Sequence, residues 1–330
     1  MTRTGLVRTG LAGAILLLLG GSALAQVFVE PFVPPAGSDS ATYYADNAAR
    51  IDELAGQVRS GSPESRRTAF DELATAFPDA ALSLALDLIN DPDMAVPAAR
   101  LLADSVVMTN HQVDHDTMPE IGHLIMARIE AAKVALLTLL DRPDDTLRRI
   151  AAGTLASLGD RRALDALDRK AKEGEVSDVE AINYFALATP EVGSSYISPY
   201  LKQGEGAAQE SAVAYLSALP AYQGQIRDEI LLNNEAKEAV RIAAAQSLGQ
   251  YDRNFGDYAV TMAIDGTNLP PSLYTAVVSA YTKTAIEQKT LDPATVDRLI
   301  DSIERVQKEA PGFQIQLDEL GNRLQNLKVQ

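Results

Sequence analysis

The sequence predicts an all-α chain: an α-solenoid of stacked antiparallel helix pairs, closed by a C-terminal helical cap. Three observations predict it. Past residue 45 the apolar positions recur at helical spacing, and the alternating β-branched runs of strands are nearly absent. Polar–proline pairs and glycines punctuate the chain at intervals that suit short helices. One helical stretch also recurs. Leu147-Arg148-Arg149-Ile150-Ala151-Ala152-Gly153-Thr154-Leu155 returns as Val240-Arg241-Ile242-Ala243-Ala244-Ala245-Gln246-Ser247-Leu248, 93 residues on, or three units of 31. Leu155, Leu187, Leu216 and Leu248 are the expected anchors of successive units, at spacings of 32, 29 and 32. A period near 30 has room for two short helices. Such a pair cannot bury its apolar face alone and must stack on its neighbours.

The chain opens on the pattern of a secretory leader. Arg3 and Arg8 form a basic start, Leu11 to Leu19 an apolar run, and Ala23-Leu24-Ala25 a small-residue cleavage motif before Gln26. Residues 1–25 are therefore expected to be a signal peptide, and the product periplasmic or secreted. The apolar stretch from Leu11 to Ala25 is 15 residues long, against the ~20 of a spanning helix. No membrane insertion is expected after cleavage. The 330 residues include no Cys, so neither disulfides nor a lipid-acceptor cysteine is available, and the fold must rest on core burial. Aromatics make up 5% of the chain and Trp is absent, which leaves the core to Ala and Leu, good helix formers.

The formal net charge is −16, and loss of Arg3 and Arg8 with the leader takes it to −18. That field keeps the protein soluble, repels nucleic acid and anionic lipid, and admits a cationic partner.

Residues 26–44 carry Pro31, Pro34 and Pro35 and are expected to form an extended arm. A first amphipathic helix is expected from Ala45 to Arg59, with Ile51, Leu54 and Val58 on one face. Helices are then expected to open at Ser62-Pro63, Asp91-Pro92, Thr189-Pro190 and Asp292-Pro293. At each of these a polar side chain can cap the orphan N–H groups, and proline gives up a donor that had no partner. Gly159, Gly174 and Gly266 stand where helices should stop. The repeat region spans 45–291, with an insertion around 108–120. Thr117-Met118-Pro119-Glu120 reads as a capping box that starts a helix near 118. Segment 292–330 is the cap. One of its helices is marked by Val296, Leu299, Ile300, Ile303 and Val306, the other by Phe313, Leu317, Leu320, Leu324 and Leu327.

One unit carries a resemblance. Asp145-Thr146-Leu147-Arg148-Arg149-Ile150-Ala151-Ala152-Gly153-Thr154-Leu155-Ala156-Ser157-Leu158-Gly159-Asp160-Arg161-Arg162-Ala163-Leu164-Asp165-Ala166-Leu167 is similar to a HEAT repeat of the short bacterial kind. The stretch from Ala239 to Val260 is a looser match, and the units at 62–90, 91–140, 175–204 and 205–234 match in hydrophobic spacing alone. The resemblance implies stacked helix pairs and a binding or scaffold role. It implies no particular ligand.

Catalytic patterns are missing. There is no G-x-S-x-G, no H-E-x-x-H, no phosphate loop and no His-Glu dipeptide of the kind repeated in HEAT-like hydroxylases. The chain is expected not to be an enzyme and to need no cofactor. Two constellations remain. Nine of the eleven tyrosines follow residue 180, and tyrosine suits binding surfaces through its apolar ring and polar tip. Tyr196, Tyr200, Tyr222 and Tyr258 are the candidate contacts for a protein or peptide partner, and filling between helices is the alternative. The three histidines lie within 13 residues. His111, Asp114, His115 and His123 are a candidate Zn or Cu site, and a solvated acidic connector is the alternative.

Overall fold

The computed structural model describes residues 40–112, 119–265, 269–288 and 292–328, and all regular structure among them is helical. No helix among the described residues is long and apolar enough to cross a membrane. The leader, and the part of the proposed arm before residue 40, lie outside the described residues. The chain divides into two compact units, one up to Asp87 and one from Leu88.

The first unit holds α1 (Ser40–Asp46), α2 (Ala48–Ser60), α3 (Pro63–Ala76) and most of α4 (Pro78–Leu88). The expected arm therefore ends sooner than residue 44. Beyond Pro35 nothing bars a helix, and Tyr43 and Tyr44 gain by packing on Phe77, with ring centroids 5.7 and 6.1 Å away. Helices α2 and α3 pack side by side and bury Leu54 and Val58 with Ala69, Phe70 and Leu73. The Arg50 guanidinium bridges them, reaching Glu72 and Glu53 at 2.6 Å each. As the sequence predicts, Ser62 caps α3, accepting the Ser65 N–H at 3.3 Å, with Pro63 at the first helical position.

The second unit runs through α5 (Ala95–Gln112), α6 (Pro119–Leu139), α7 (Asp145–Ser157), α8 (Arg161–Lys172), α9 (Asp178–Phe185), α10 (Pro190–Ile197) and α11 (Tyr200–Gln203). It continues with α12 (Ala207–Ser217), α13 (Pro220–Ile226), α14 (Glu238–Tyr251), α15 (Phe255–Asp265), α16 (Pro271–Gln288), α17 (Pro293–Glu309) and α18 (Gln314–Lys328). Helices α5, α7, α9, α12, α14, α16 and α18 each pack on the next of that series. Of these, α5, α7, α9, α12 and α14 also pack on the helix that follows in sequence.

From α7 to α16 the helices of the series share an evenly spaced set of fully buried side chains. Leu155, Phe185, Leu216, Leu248 and Val278 all have no accessible surface, and they follow one another at 30, 31, 32 and 30 residues. Phe185 takes the place expected for Leu187, which is only half-buried. Proline at 190 disfavours helical backbone at Thr189, so α9 stops after eight residues, and Leu187 falls in the turn beyond it.

Helix ends follow the sequence in most places. Asp144, Asp160, Ser177 and Asp292 each accept N–H bonds at an N-terminus. Gly159 and Gly174 take positive φ, +66° and +76°, just past the ends of α7 and α8. Two expected caps behave otherwise. Thr189 precedes α10 but makes no capping bond. Asp91 spends its Oδ1 on the N–H groups of Asp93 and Met94, at 3.0 and 3.2 Å, so Pro92 lies in a turn and α5 begins at Ala95. Gly266 lies outside the described residues. In α18 the Leu317, Leu320 and Leu324 stripe is buried, and the helix packs on α16 and α17.

Candidate binding groove

Polar links tie helices that lie outside that series to one another. The Tyr196 hydroxyl of α10 donates to Asp165 of α8 at 2.5 Å. Lys202 of α11 reaches Glu229, beyond α13, at 3.4 Å. Arg305 of α17 donates to the Ile264 carbonyl of α15 at 3.3 Å. Between α13 and α15 the link is Arg227 with Tyr258, and the surface opens there into a concavity of about 850 Å³.

One wall of this groove is an irregular helix end. After Ile226 the chain continues α13 as a π turn, Arg227–Leu231, closed by the Leu232 N–H donating to the Arg227 carbonyl at 2.9 Å. The wider turn buries Ile230 and Leu231 and leaves Leu232 41% exposed. Single π turns are rare in helices and concentrate at functional sites. From behind, the Arg241 side chain of α14, itself buried, donates Nε–H to the Leu231 carbonyl at 3.0 Å.

The other wall is α15. Asp252, buried just before it, accepts the Asn254 N–H at 2.9 Å and the Tyr258 hydroxyl at 2.8 Å. The Tyr258 ring meets Phe255 edge-on at 5.3 Å, and Arg227 Cζ stands 5.8 Å from its centroid. Burial and the Asp252 carboxylate push the Tyr258 phenol far up, so it remains a donor at every physiological pH. Arg227 grips both oxygens of Asp228, at 2.7 and 2.9 Å, and that bond draws the Asp228 carboxyl below its usual range. Met262 and Thr261 complete this wall. The Thr261 hydroxyl donates to the Asp257 carbonyl at 3.2 Å. Among the described residues the Asn254 side-chain amide and the Asp257 carboxylate have no partner. Together these groups can hold an apolar side chain, a cation and a backbone amide.

Of the four candidate tyrosines, Tyr258 alone lines the groove. Tyr196 stacks on Phe185 at 5.1 Å, and its phenol is pushed up to about 12 by burial and by Asp165. Tyr200 on α11 is likewise pushed up to about 12, by burial and by the charges of Asp178 and Asp168. Tyr222 is half-buried on α13. Tyr274 and Tyr281 belong to the core. The Tyr274 hydroxyl donates to Ser302 at 3.0 Å beside a smaller cavity of about 410 Å³.

His111 lies in the last turn of α5, not in the connector where the sequence places it, and His123 lies in α6. Their side chains, and all of Asp114 and His115, lie outside the described residues. Among the described residues no group of three His, Asp or Glu side chains is placed to hold a metal ion.

Sequence reasoning missed Arg227, Asp228, Leu232, Asn254, Asp257, Thr261 and Met262. The π turn has no pattern of its own, since Arg-Asp-Glu-Ile-Leu reads as ordinary helix. Asp252-Arg253-Asn254 did carry a signal, because an Asp bonding two residues ahead starts a turn. The chain matches no protein-family model and no curated protein.

Proposed function

We propose that this chain is an exported interaction scaffold of the HEAT-like α-solenoid kind, which holds a protein or peptide partner along its outer helices and catalyses no reaction. One observation carries the reading. Beside the π turn, an open groove presents exposed Leu232, Met262 and the Tyr258 ring next to an unpartnered amide and carboxylate. Apolar area with a few convergent polar groups is what partner recognition needs. The stacked series from α5 to α18, with buried anchors about every 30 residues from α7 to α16, supports the solenoid reading. The leader pattern of residues 1–25 supports export.

A photo-crosslinking residue placed at Thr261 in the expressed full chain tests the binding role. The expected result is one discrete crosslinked partner, lost when Leu232→Asp is added. A partner retained in Leu232→Asp, or captured equally from a crosslinker at exposed Lys172, overturns the groove as the binding surface. Mass analysis of the exported protein tests the compartment, with Gln26 as the expected first residue.

A further inference from the structure

We infer that the groove selects an extended segment of a partner protein that bears a basic side chain next to an aliphatic one. This rests on the binding role proposed above and names what is bound. Among the groove's charged groups Arg227 is satisfied, because Asp228 takes its guanidinium in a two-point bond. Asp252 is occupied by Tyr258 and Asn254. That leaves Asp257, exposed in the first turn of α15, as the uncompensated charge, and it is negative. The chain's net charge of −16 adds a long-range field of the same sign. A lysine or arginine is therefore the side chain that this wall attracts, and an acidic segment is repelled.

The neighbouring surface is apolar. Exposed Leu232 and half-buried Met262 lie beside the Tyr258 ring, and a thioether adapts to varied aliphatic shapes. The Asn254 amide offers a donor and an acceptor, the pair that a peptide backbone uses. The concavity is open to solvent, which disfavours a small free amine. A tight small-molecule site encloses most of its ligand, whereas a chain segment is held by successive contacts in an open trough.

The test uses the full chain and three fluorescein-labelled peptides: alternating Lys and Leu, alternating Glu and Leu, and alternating Lys and Ser. Anisotropy titrations are expected to show the Lys–Leu peptide binding at least about fivefold more tightly than either other, and weakening as salt rises from about 50 to 500 mM. Asp257→Lys is expected to reverse the preference between the Lys–Leu and Glu–Leu peptides. Thr261→Trp, which fills the groove without a charge change, is expected to weaken all three. Both positions are exposed, and circular dichroism with an unchanged melting midpoint confirms the fold. If Thr261→Trp weakens binding but Asp257→Lys leaves the preference unchanged, the groove stands and charge selection is overturned. If neither substitution alters binding, both readings are overturned.

Discussion

Two helix hairpins in the second unit hold equivalent positions in the packing series and end in opposite ways. In α7–α8 each helix is closed by its own side chains. Asp144 accepts the Thr146 and Leu147 N–H groups at 2.8 and 3.0 Å, Asp160 accepts that of Arg162 at 3.0 Å, and glycines with positive φ end both helices. In α12–α13 no side chain caps either start. Gly206 enters α12 at φ +51°, and a π turn stands where the other hairpin has a glycine. Yet Leu155 and Leu216 are equally buried. The apolar register is kept in both, while the ends are free to differ, and the groove forms where an end is left irregular.

The largest effects test the shared register. Phe185→Ala should cost about 3–5 kcal/mol, and Leu155→Ala and Leu216→Ala about 2–5 each. Leu187→Ala should cost only about 1, since its side chain is half-exposed. Urea melts of the four variants check this, and a costlier Leu187 than Phe185 would restore the sequence-based register.

Next come the irregular ends. At φ +51° and ψ −122° Gly206 is in a region closed to other residues. Gly206→Ala should therefore cost about 1–3 kcal/mol, although open space surrounds the new methyl group. Thermal melts that show no loss would mean that the chain enters α12 in another conformation.

The cap of the regular hairpin should show in acid. Burial alone would raise the Asp160 carboxyl, but bonds from Arg162 and the charges of Arg162 and Lys133 carry it below 3.8. A depressed pKa contributes stability above the unfolded value, and that stability is lost as pH falls through the folded one. Asp160→Ala should cost about 1 kcal/mol at neutral pH. Asp160→Asn can still cap, and its stability gap to the native chain should close as the pH falls through the lowered folded pKa of Asp160. A gap that persists there would remove the ionic part of the cap.

The smallest effect is a gain. Gly153 sits inside α7, with nothing within 4 Å of the position its Cβ would take. Gly153→Ala should raise stability by about 0.5–1 kcal/mol, read from the denaturation midpoint. The contrast with Gly206→Ala then separates a glycine needed for its backbone from one that is not.

Local chemistry explains what the sequence made legible. Ser62, Asp160 and Asp292 act within three residues of themselves, so the helix starts that they mark can be read directly. Either Leu187 or Phe185 can fill an apolar slot, and a proline three residues beyond Leu187 decides between them. The groove was legible only at Tyr258. Its other contributors come from the π turn and Leu232 on one side and from Asn254 and α15 on the other, about 30 residues apart in sequence, and no local propensity announces the π turn that aligns them.

Arg241 acts at one remove from this surface. Its guanidinium is withdrawn from water and bears on the last carbonyl of the π turn. It serves as a strut between the groove's wall and the first helix of the following hairpin. An aliphatic side chain of similar length would still fill the core, but it would leave that carbonyl unbraced. The contour offered to a partner is thus set in part by a residue that no partner touches.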